Sequence, residues 1–94
     1  MATPSVPVDD AEARASDSLQ AAYFRGALAD QRALIAAELV RQKRKLNVLS
    51  TRTDALLITR LRREIRANEA ECRDVDRMIE ALDRRFASLW SSQP

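Results

Sequence analysis

Side chains able to run a reaction are scarce in these 94 residues. General acid–base work near neutral pH and most metal sites draw on histidine, and the chain has none. Without it no Ser–His or Cys–His pair can form. The single cysteine, Cys72, can neither close an intramolecular disulfide nor assemble a zinc site. It falls in an apolar helical stripe, where a free thiol behaves as a small hydrophobe. With Gly26 as the only glycine, there is no Gly-rich loop to cradle a phosphate. Asp74, Asp76, Glu80 and Asp83 would suit a hard cation, but they repeat no ligand spacing, and the Glu-x-x-His pairs of di-iron bundles are missing. A solvated acidic face, with Glu69–Arg73 and Glu80–Arg84 as helix pairs, accounts for them better. The expectation is a chain that is not an enzyme, with no catalytic residue, metal, cofactor or small-molecule substrate.

Charge placement says more than net charge, which is only +2. Residues 41–66 hold nine cations, Arg41, Lys43, Arg44, Lys45, Arg52, Arg60, Arg62, Arg63 and Arg66, opposed by Asp54 and Glu64 alone. The rest of the chain holds seven cations and twelve anions. A helix macrodipole favours cations in a last helical turn, which explains Arg41 to Lys45 but not the arginines that follow. Arg41/Lys45 and Arg62/Arg66 are also like-charged neighbours at i,i+4, each mildly destabilising. Such concentrated repulsion predicts an anionic partner, whether nucleic acid, lipid headgroups or acidic protein, at Arg41, Lys43, Arg44, Lys45, Arg60, Arg62, Arg63 and Arg66.

The elements that must position these charges are helices. One glycine and three prolines, Pro4, Pro7 and Pro94, are too few for the turns of a sheet protein, and the Ala, Leu, Arg and Glu content is that of long helices. Residues 1–8 and 91–94 read as flexible tails around a single helical unit, 9–90. Asp9 or Asp10 caps a first helix running to about residue 46. The stretch Asn47 to Thr51 competes with helical bonding, and Thr51-Arg52-Thr53-Asp54 resembles a capping box that starts a second helix near Arg52 and carries it to about Trp90.

In that second helix Ile58, Leu61, Ile65, Asn68, Cys72, Val75, Ile79, Leu82, Phe86 and Leu89 alternate spacings of three and four, a heptad seam with one polar break. A shorter seam in the first helix uses Leu28, Arg32, Ile35, Leu39, Gln42, Leu46 and Leu49. The two seams are out of phase as one continuous rod. Folded about Ser50 they face each other, Leu39 on Leu61, Ile35 on Ile65, Leu28 on Cys72, Gln42 on Ile58 and Arg32 on Asn68. The fold class expected is all-α, an antiparallel coiled-coil hairpin basic at its tip.

In that register the layers beyond Val75 do not close, leaving Ile79, Leu82, Phe86, Leu89 and Trp90 as partner-binding residues. The first helix also carries a second apolar face, with Tyr23, Ala27, Leu34, Ala37 and Val40. A helix apolar on two sides needs neighbours on two sides, so a four-helix bundle completed by a second copy or by another protein is expected. The functional expectation is a protein–protein interaction module: a small coiled-coil subunit, an adaptor or an export-type chaperone. The alternative is nonspecific binding of nucleic acid or an anionic membrane through the tip. Acidic residues within 9–17 argue against a secretory or transit signal, and no apolar run approaches the length of a membrane span, so a cytoplasmic or otherwise intracellular location is expected.

Overall fold

The computed structural model describes residues 8–52 and 54–91, and for Val8 and Asp9 the backbone alone. Two helices make up the fold, α1 (Val8–Leu49) and α2 (Ala55–Ser91). They pack against each other as an all-α hairpin, and the described residues contain no strand. The expected tails lie outside the described residues except for Val8 and Ser91, which are helical. At 1.5 Å per residue α1 is about 63 Å long and α2 about 56 Å, and the principal extents are 79 × 33 × 16 Å. The radius of gyration is 21.4 Å, against about 12 Å for a globule of this length. So extended a shape leaves little interior: Ala21, Leu28, Leu61, Ile65 and Val75 are the buried apolar residues, joined by Ser18 and Gln42.

The turn uses the polar cluster differently from the capping box expected there. Ser50 Oγ donates to the Asn47 carbonyl at 2.8 Å and Thr51 Oγ1 to the Val48 carbonyl at 2.7 Å. These hydroxyls therefore satisfy the last carbonyls of α1, which have no acceptor role left within the helix. Helix α2 is capped instead by Asp54, whose Oδ1 accepts from the Leu57 N–H at 3.2 Å while its carbonyl accepts from Ile58 N–H at 3.2 Å. Such a cap is worth about 1 kcal/mol. Thr53, also part of the expected pattern, lies outside the described residues. The connection, residues 50–54, thus lies further along the chain than the expected turn about Ser50.

The register also differs from the one expected about Ser50. Arg32 pairs with Asp76, not with Asn68. Arg25 pairs with Asp83, and the Trp90 indole N–H donates to the Ser18 carbonyl at 3.1 Å. Asn68 instead donates from Nδ2 to Gln42 Oε1 at 3.0 Å. The contacts lie roughly one heptad further along α2 than the register folded about Ser50. A shift of one heptad preserves which residues face inward, so both seams remain sheltered: every seam residue of α2 from Ile58 to Phe86 is buried or half-buried. On α1 only Arg32 stays exposed, and the seam extends back through Arg25 and Ala21 to Ser18.

Candidate interaction surface

The new register changes the fate of the C-terminal apolar residues. Ile79, Leu82, Phe86 and Trp90 are half-buried rather than open, in the stretch of α2 where Asp83 bonds Arg25 and Trp90 bonds Ser18. Phe86 and Trp90 stack with ring centroids 5.9 Å apart and planes 22° from parallel. The Arg85 guanidinium sits 5.2 Å from the Phe86 centroid, a cation–π geometry. The Trp90 ring meets Ser18 on α1, and Ser18 and Ala21 are both buried, so the end expected to gape is sheltered within the chain. Of the residues expected to bind a partner there, Leu89 alone is exposed, at 42%. Cys72 is half-buried in the seam.

Two cross-helix ion pairs clamp this half. Arg25 Nε lies 2.5 Å from Asp83 Oδ1 and Nη2 lies 3.1 Å from Oδ2, a two-point contact. Arg32 makes the same fork with Asp76. Asp76 and Asp83 are therefore spent on helix pairing, and within helices Arg41–Glu38 and Arg77–Asp74 form rather than the i,i+4 pairs expected. Hydrogen bonding from Arg25 outweighs the opposing desolvation and, with a lesser contribution from the Arg25 charge, lowers the Asp83 pKa below its ordinary value. A carboxyl with a lowered folded-state pKa adds stability that is complete above the unfolded value and fades as pH falls through the folded one. Acid destabilisation traceable to this pair is thus expected below about pH 4. Thermal melts against pH should show a shallower acid limb for Asp83→Asn; an unchanged limb would deny the clamp a role. Both side chains are over a third exposed, so salt screens the effect.

On α1 the opposite face remains uncovered. Tyr23 is 83% exposed, Leu34 73% and Val40 49%, so the three residues singled out on this helix share its solvent side. Leu19, 69% exposed, belongs with them and was missed by sequence reasoning, although it stands one helical turn before Tyr23. Between these side chains the surface is small: Ala22, Tyr23, Gly26, Ala27 and Asp30 line a shallow depression. Helix α2 has nothing comparable, its outer positions being mostly Arg, Glu and Asp. Leu56, Leu57, Val48 and Met78 are further exposed apolar residues that the periodicity did not single out, three of them beside the turn.

Every cation of the tip is exposed: Arg41, Lys43, Arg44 and Lys45 on α1, Arg60, Arg62, Arg63 and Arg66 on α2. Among the described residues only Arg41 of these eight has an ion-pair partner, Glu38. The sequence-predicted residues thus resolve into three places, the outer face of α1, the inner seam near Trp90, and the tip. Among the described residues no group of three or more Cys, Asp or Glu is placed to hold a metal ion, and no helix is long and apolar enough to cross a membrane. The class this defines is an all-α helical hairpin with one two-faced helix. No family model matches the chain, nor does any curated protein or solved structure.

Proposed function

We propose that this chain is a non-catalytic protein–protein interaction module, a small coiled-coil subunit, adaptor or export-type chaperone, that docks a partner on the outer face of α1. One observation carries the reading. Tyr23 and Leu34, the most exposed large apolar residues described, lie in one stripe of a helix whose other side α2 already occupies. Burying such side chains contributes roughly 1.5–3 kcal/mol each, enough to hold a partner without polar specificity.

The test is the double variant Tyr23→Lys/Leu34→Lys. Neither side chain faces α2, and a lysine at 34 stands four residues from both Asp30 and Glu38, a spacing that supports helix. Helicity by circular dichroism is expected to match wild type, while association is lost, whether with itself or with a protein copurifying from the host. A variant keeping every association of the wild type would show this face idle.

A second reading is favoured by the tip, where eight of the nine exposed cations in 41–66 have no ion-pair partner among the described residues. It is sequence-independent binding of nucleic acid or an anionic surface, weakened steeply by salt. The tip has no aromatic residue on which a base would stack. Titration at low salt with duplex and single strands decides it; absence of binding to both removes it.

A further inference from the structure

We infer that the outer face of α1 is covered by a second copy of this chain running antiparallel, with the basic tip of each hairpin against the acidic start of α1 in the other. This rests on the docking role given to that face and names its occupant. The face is apolar from Leu19 to Val40 apart from Gln20 and one charge, Asp30. A two-fold axis crossing α1 midway between Leu19 and Val40 lays each over the other's counterpart, and brings Gly26 over the second copy's Ala33.

Gly26 is otherwise unaccounted for. A Cβ built there meets nothing within 4 Å, and no glycine has positive φ. Neither the packing of the hairpin nor its backbone needs a glycine at this position, although glycine is the poorest helix former after proline. A missing side chain on an exposed face lets another helix approach closely, and the depression around Gly26 is where it would do so.

Charge sets the direction. Helix α1 opens with Asp10, Glu12 and Asp17 against Arg14, and closes with Arg41, Lys43, Arg44 and Lys45. Antiparallel pairing sets each acidic start beside a basic end, twice over by symmetry. Parallel pairing would set two basic tips together, which costs free energy at every exposed cation. A contact running the length of α1 and about 10 Å wide buries about 600 Å² per copy, near the lower end of stable interfaces. Association at roughly micromolar concentration follows. Asp30 falls close to its symmetry mate, the one repulsive element.

Sedimentation equilibrium on the full chain tests this. Wild type is expected to dimerise, about tenfold more weakly when salt is raised well above physiological. Tyr23→Lys/Leu34→Lys should weaken the dimer by about a hundredfold or more, and Asp30→Asn should tighten it. For direction, Ala13→Cys and Asn47→Cys chains, each also carrying Cys72→Ala, are mixed and oxidised. A disulfide joining position 13 to position 47 supports the antiparallel pair. Disulfides joining 47 to 47 would overturn it, as would a wild-type monomer at high micromolar concentration or a dimer indifferent to the double lysine variant. A monomer that still copurifies with a host protein, and loses it on the same double substitution, would overturn the second copy while leaving the docking role standing.

Discussion

Val75→Asp is expected to unfold the hairpin at ambient temperature. Val75 is 1% exposed, the most deeply buried large side chain described, and sits mid-seam where neither helix end can fray to admit water. Removing its branched carbons forfeits roughly 2 kcal/mol of apolar burial. A carboxylate left there without a cation adds several kcal/mol more. A total of at least about 4 kcal/mol is a large share of what any small domain possesses, and corresponds to a fall in Tm of about 15 °C or more. Two controls isolate the cause. Val75→Ala should cost only about 2 kcal/mol, and Met78→Asp, at a position 43% exposed, should change little. The introduced carboxyl, if it stays inside, has a raised folded-state pKa, so the loss should shrink as pH is lowered toward 4. Thermal melts of the three variants across pH decide the matter. A Val75→Asp chain melting within a few degrees of wild type would mean that the seam is not the core.

The second large effect concerns the polar pair inside that seam. Gln42 is buried at 8% exposure and accepts through Oε1 from Asn68 Nδ2. Replacing Asn68 by leucine orphans a buried carbonyl oxygen, at a cost of about 1–3 kcal/mol. Replacing Gln42 by leucine orphans an amide that is half-exposed and can turn to water, so the cost lies at the lower end of that range. Substituting both exchanges a hydrogen bond for an apolar contact and should be more stable than either single variant, and equal to or above wild type. The double-mutant cycle is therefore expected to return a coupling of at least about 1 kcal/mol. Additive single effects would show that the pair is not a unit. The same double variant should lose some uniqueness of alignment, since this polar layer joins the Arg25 and Arg32 ion pairs in distinguishing one heptad register from the next. Extra amide resonances in NMR spectra of the double variant would report that loss.

The seam of α2 and the two-faced character of α1 could be read from spacing alone. Heptad spacing is a local property: residues three and four apart share a face whatever the helix packs against. The placement of Tyr23, Leu34 and Val40 away from α2, and of the tip cations in solvent, rests on the same periodicity together with the position of the turn. Periodicity did not single out Leu19 or Phe24 on α1, 69% and 52% exposed.

Register was not legible, and the reason is physical. A seam repeating every seven residues fits its partner almost equally well when displaced by one repeat, so hydrophobic pattern leaves the alignment degenerate. The degeneracy is broken by polar particulars: Ser50 and Thr51 closing α1, Asp54 opening α2, and Arg25, Arg32 and Gln42 each finding a partner roughly one repeat further along. Those choices decide that Phe86 and Trp90 are half-buried, with Trp90 bonded to Ser18, instead of left open. Sequence alone therefore determined two helices, their inner faces and a basic turn. Only the tertiary structure decided which layers meet, because turn geometry and single hydrogen bonds act over distances that a repeating pattern cannot encode.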